Sequence, residues 1–272
     1  LQLGDAGSGA AKSFNIAGVV PNLIVTNTSA GHTATFGAPV TYNNVSLNFT
    51  INAGAALNFG NNVFLFSGTN ITNDGTLTHN GASSRFIMFK PNTNVTYTGA
   101  GVVTAPMTSF ELQNDLNFTF DPSVSNVVVS RVIIFSGSFV NANKLTIGNG
   151  GTTSATIQIG NTTTPTNAGI FDMAPAFNLG TGGQNISYLR VTNPRSTGFE
   201  INPGRVLNNL SVDDNVNALT IAGGSLLVTG TLTLTNGVVN NSAVNLITVG
   251  LDAVTLGTIV RTNGMINGSL KK

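Results

Sequence analysis

Two histidines and ten carboxylates carry most of the acid–base chemistry open to this chain of 272 residues. Cysteine is absent, which removes thiolate nucleophiles, disulfides and cysteine metal sites together. His32 and His79 lie in Gly/Thr and Thr/Asn/Gly settings that read as turns. A metal site needs imidazole or carboxylate neighbours at ligand distance. His32 has none close in sequence and His79 has only Asp74.

The carboxylates are equally sparse. Asp213 and Asp214 form an adjacent pair, but neighbours along a strand point to opposite faces, whereas glycoside chemistry needs two carboxylates held a defined distance apart. The pair reads as a solvated turn. Glu111, Asp115 and Asp121 share one polar stretch that a loop could gather into a Ca²⁺ site, since that ion accepts carboxylate and carbonyl oxygens. The Asp-rich loop usual for calcium is missing, Asp121-Pro122 is itself a turn signal, and no His or Lys stands beside them. There is no Gly-x-Ser-x-Gly elbow and no phosphate loop, and the glycine runs at 148–151 and 180–184 read as turns. The expectation is a non-enzymatic chain with no catalytic, cofactor-binding or metal-binding residues.

The elements that would position any site are short strands. Apolar residues recur at spacing two, Gly and Asn interrupt about every ten residues, and Thr, Val, Ile and Phe fill the intervals. Strands are expected at 22–27, 44–51, 62–68, 126–135, 144–148, 155–160, 188–193, 209–214 and 231–237. Equivalent apolar positions recur near 21 residues: Leu23 to Val45 is 22, Val45 to Leu65 is 20, Leu189 to Leu210 is 21 and Leu210 to Leu232 is 22. That period suits one coil of a right-handed parallel β-helix, in which each strand pairs with the strand a coil away. The asparagines preceding Leu23, Val45 and Leu210 would then stack their amides into ladders. The competing architecture is two β-sandwich domains. The register blurs between 80 and 125, where an insertion or a boundary would fall.

Composition agrees with a solenoid. Only 8% of residues are charged, against about 25% in ordinary domains, and residues 13–73 and 215–251 contain no Asp, Glu, Lys or Arg. Like charges stacked every ~4.8 Å would repel, so stacked coils favour Asn, Thr and Ser. The net charge of +1 gives no footprint for nucleic acid. No run approaches the ~18 apolar residues of a spanning helix, so membrane insertion is not expected. The start, LQLGDAGSG, lacks the pattern of a signal peptide and reads as the beginning of a mature or excised piece of a longer chain.

The run LLVTGTLTLTNGVVNNSAVNLITVG at 226–250, followed by GTIVRTNGMINGSLKK at 257–272, resembles the repetitive extracellular proteins of the Bacteroidetes. These are large adhesin-like surface proteins commonly exported by the type IX secretion system. The resemblance implies a cell-surface location, a larger parent chain and a role in adhesion, matrix or envelope assembly. Its implied partners are other surface proteins, glycans or further repeats of the parent. The conserved sorting domain usual in such proteins is not seen before Lys272, and no catalytic residues come with the pattern. Two alternatives differ in observable features. A carbohydrate-active β-helix needs a carboxylate cluster on one flank, and an ice- or glycan-binding face needs Thr or aromatic ladders across three or more coils. Thr231, Thr233 and Thr235 alternate on one strand, and 16 Phe against 3 Tyr and no Trp point to core filling more than sugar stacking. Residues 1–15 and 257–272 are the expected caps or junctions.

Overall fold

The computed structural model describes residues 1–4, 12–14, 22–26, 33–37, 40–41, 48–81, 83–88, 94–104, 107–113 and 115–272. The chain is all-β, and its parallel strands stack as a solenoid of about ten turns whose partners lie about 23 residues apart. No described helix is long and apolar enough to cross a membrane. One side of the coil is a fourteen-stranded sheet, here called the main face. A second face of eight strands runs from Gln2–Leu3 to Ala168–Phe171. The third side is built from sheets of five and three strands. From residue 206 the strands Val206–Thr220 and Leu226–Asn240 pair with one another over most of their length, with register shifts where the strand bends.

Alternation decides what lies inside. On the main face one inward column runs Phe64, Phe86, Phe110, Val132, Ile157, Ile186, Leu210, Leu232, Ile259, each residue directly above the last. Its members from Phe64 to Leu232 are at most 1% exposed. Each fully buried side chain of this size contributes roughly 1.5–3 kcal/mol. Rings add contacts of their own: Phe64 stacks on Phe86 at 4.9 Å, and Phe139 stacks on Phe171 at 5.6 Å. Every phenylalanine of the chain lies at or before residue 199. The core beyond that point is filled by Leu, Val and Ile.

The register differs in detail from the sequence period. Leu23 pairs with Phe49, 26 residues on, while Val45 lies outside the described residues. Leu65 stands opposite Thr41, and Leu189 opposite Asp213; only Leu210 opposite Leu232 keeps the expected step. Corners of unequal length cause this, since Ile157 to Ile186 spans 29 residues and Leu210 to Leu232 spans 22. The expected strand at 126–135 is two strands, Val127–Val129 and Arg131–Ile134, which belong to different sheets. Strands within 80–125 carry both the main and the second face through that stretch.

Glycine is required where coils pass closest. Gly137 has φ +88°, and a Cβ there would sit 1.7 Å from the carbonyl oxygen of Leu116 one coil below.

Candidate functional site

The residues singled out by chemistry are dispersed. His32 lies outside the described residues. His79 Nδ1 is 2.8 Å from Ser84 Oγ and 3.2 Å from the Gly81 carbonyl, and its ring tilts against Phe59 at 5.7 Å. Asp74 Oδ1 instead accepts from the Ala100 amide at 3.4 Å. Asp115 occupies a turn at φ 56°, and Asp121 accepts from the Ser123 amide at 2.9 Å. That bond to the Ser123 amide holds the Asp121 carboxyl below its ordinary range. Among the described residues no three His, Asp or Glu side chains converge as a metal set.

Glu111 is placed unexpectedly. It lies on the outward side of the main face, between Ile87 and Ile133 in the same column, yet it is 0% exposed. Arg85 donates to both of its oxygens, Nε to Oε1 at 2.8 Å and Nη2 to Oε2 at 2.7 Å, and Ser109 Oγ donates to Oε1 at 2.8 Å. The hydrogen bond to Glu111 raises the Arg85 guanidinium above its ordinary value. Asp213 and Asp214 do face opposite ways, but Asp214 is buried rather than solvated. Its Oδ1 accepts from the amides of Val216 and Asn217, while Asp213 Oδ1 accepts from Asn236 Nδ2 at 2.6 Å. Strand 206–220 simply continues through them, so the expected turn becomes a bend inside a strand.

Two features were hidden in the sequence. The first is a polar ladder on the second face. Thr50, Thr72 and Thr98 occupy one outward column in three successive coils, and the hydroxyls of Thr72 and Thr98 are 3.1 Å apart. Beside it run Asn48, Asn70, Thr96 and Thr119. Asn70 Nδ2 donates to Asn48 Oδ1 at 2.9 Å, and Asn48 N to Asn22 Oδ1 at 3.1 Å. Of the asparagines expected to stack, Asn209 donates its side-chain amide to Asn185 at 3.0 Å, Asn22 accepts from the backbone of Asn48 one coil above, and Asn44 lies outside the described residues. By contrast, Thr231 stacks on Thr258 but Thr233 lies between Ser211 and Val260, so that strand does not continue as threonine columns.

The second feature is a polar layer inside the solenoid at residues 184–205. Gln184, Glu200 and Asn202 are buried, and Tyr188 is 2% exposed. Arg195 takes the register of inward-facing Leu219 and donates to the carbonyls of Gly169 and Ala168 in the coil below. Tyr188 Oη donates to Glu200 Oε1 at 2.5 Å, as does the Gly198 amide at 2.9 Å. Gln184 Nε2 donates to the Glu200 carbonyl at 2.6 Å, and its Oε1 accepts from Asn202 Nδ2 at 2.7 Å. Among the described residues Glu200 Oε2 and Arg195 Nε have no partner. Burial, followed by the nearby Glu200 charge, pushes the Tyr188 phenol well above its ordinary value, and burial pulls Arg195 down.

Outside this layer the same turn walls a cleft of about 470 Å³. Phe199 on its rim is 48% exposed, although Glu200 beside it is 0% exposed. Arg205, also on the wall, has φ 53°, a left-handed conformation costing a non-glycine residue about 1 kcal/mol. Its Nη2 donates to the carbonyls of Ala222 and Gly224 and its Nε to that of Ser225. No family model matches this sequence, and no curated protein and no solved structure is significantly similar to the chain.

Proposed function

We propose that this chain is a non-catalytic structural and adhesive module of a secreted bacterial surface protein, displaying an extended, chemically uniform face. The supporting observation is the outward ladder of neutral hydrogen-bonding groups, which repeats coil after coil from Asn48 and Thr50 to Thr98 and Thr119. Backbone pairing along the coil axis makes such a body stiff, and neutral side chains let identical columns stack without repulsion. Partners of this kind of surface are glycans, other surface proteins or further repeats of the same parent. The sequence resemblance of residues 226–272 favours export to the cell surface. Immunogold labelling of intact source cells with antibodies to the purified chain tests this. Labelling of unbroken cells is expected, and labelling that appears only after lysis overturns the reading.

The threonine column favours one second reading, an ice-ordering face. Coils ~4.8 Å apart and alternate residues about 6.6 Å apart space the threonine positions regularly, with the Thr72 and Thr98 hydroxyls drawn together to 3.1 Å. Its signature is thermal hysteresis abolished by Thr72→Tyr. Freezing behaviour equal to that of an inert protein removes it.

A further inference from the structure

Along the described strands apolar side chains mostly face inward and polar ones outward. The turn Gly198–Asn202 does the reverse at two neighbouring positions. Glu200 is buried and Phe199 is half exposed, an arrangement that costs free energy twice, once for desolvating a carboxylate and once for wetting a ring. The buried side is tied down by Tyr188, Gln184 and the Gly198 amide. Phe199 is thereby held on the rim of a cleft whose other walls include Ile201, Pro203 and Ala222.

One charged group completes the wall. Arg205 is fixed by three carbonyls through Nε and Nη2, while its Nη1 makes no hydrogen bond among the described residues and lies beside Gly223, where an added Cβ would come within 3.3 Å of it. Arg195 and Arg205 stand near two carboxylates, Glu200 and Asp214, and of these four groups only Arg205 lines the cleft. A volume of about 470 Å³ falls in the range of small-molecule sites, which are mostly apolar with a few fixed polar groups.

We propose that this cleft binds a small aromatic carboxylate, its ring packed against Phe199 and its carboxylate on Arg205 Nη1. The site is separate from the ladder face and does not depend on the adhesive reading. The strained backbone of Arg205 fits this assignment, since such conformations persist where surrounding contacts hold a side chain in place.

The test is a titration of the ¹⁵N-labelled full chain with phenylacetate and, separately, with its neutral isostere phenylacetamide, read by amide chemical shifts. Phenylacetate should shift the amides of Gly198, Phe199 and Gly223 saturably and bind about tenfold more tightly than the amide, the difference between a charge-assisted and a neutral hydrogen bond. Phe199→Ala, on an exposed side chain, should weaken both ligands, and Arg205→Gln should erase the preference for the acid. Because Arg205→Gln also loosens the carbonyl clasp, Phe199→Ala and the ligand pair on the unaltered chain decide the matter if that variant does not fold. The proposal is overturned by no saturable shift, by equal affinity for acid and amide, by shifts confined to residues away from this turn, or by Phe199→Ala binding like the parent.

Discussion

Tyr188 reaches across the interior of its own coil to donate to Glu200 Oε1 at 2.5 Å, twelve residues on. It is the shortest of the bonds that let a carboxylate sit inside a parallel β-stack. A phenol donating to an ionised oxygen is worth about 1.5–3 kcal/mol. Tyr188→Phe is therefore expected to lower unfolding free energy by about 2 kcal/mol in urea titration, because Glu200 Oε2 already lacks a partner among the described residues. A loss under about 0.5 kcal/mol would show that the phenol is not what holds the carboxylate.

The solenoid should be sensitive to alkali. Burial raises the Tyr97 phenol from 10.0 to about 12, partly offset by its bond with Asn73. Its folded value lies above its unfolded one, so the stability it contributes is complete below pH 10 and is lost as pH rises towards 12. The loss amounts to about 3 kcal/mol. Circular dichroism against pH should show unfolding in that window, shifted upward in Tyr97→Phe. An unchanged midpoint in that variant would place the alkaline weakness elsewhere.

Close coil contact gives a paired glycine experiment. Gly137→Ala places a Cβ 1.7 Å from the Leu116 carbonyl at φ +88°, and should cost about 3 kcal/mol or more. Gly151→Ala meets only the flexible Asn149 side chain at 3.3 Å, and should cost under about 1 kcal/mol. Equal melting points for the two variants would mean that the coils can slide apart at Leu116.

Arg85→Ala strips both donors from one end of the buried Glu111 carboxylate and leaves it only Ser109. Discounted for the 43% exposure of the arginine side chain, the expected loss is about 2 kcal/mol. Arg85→Lys should recover part of it, since an ammonium cannot supply the two-pronged geometry. Thermal melts of both variants check this, and an Arg85→Ala melt matching the parent rules it out.

The architecture was legible because a solenoid writes its period into the chain. Alternation, neutral columns and turn residues all point to stacked parallel coils. Register was less legible. Corners of different length move the inward position, so Leu23 meets Phe49 instead of a residue 22 positions on. The threonine column escaped detection for the same reason, since Thr50 and Thr72 are 22 apart while Thr72 and Thr98 are 26 apart. Glu200 carried no signal, for in GFEIN the phenylalanine looks like the core residue and the glutamate like the surface one. Only the donors Tyr188 and Gly198, brought in by the fold, reverse that reading.

The polar layer at 184–205 has a consequence for how the rod comes apart. In a stack of repeats, cooperativity travels through nearest-neighbour interfaces, as in a one-dimensional Ising chain. Phenylalanine interfaces lie on the N-terminal side of this layer and Leu, Val and Ile interfaces on the C-terminal side. The layer itself couples them through directional hydrogen bonds beside the apolar column that passes through it at Ile186. Packing changes character at this layer, so it is the interface expected to part first, leaving the aromatic and aliphatic halves as two foldons.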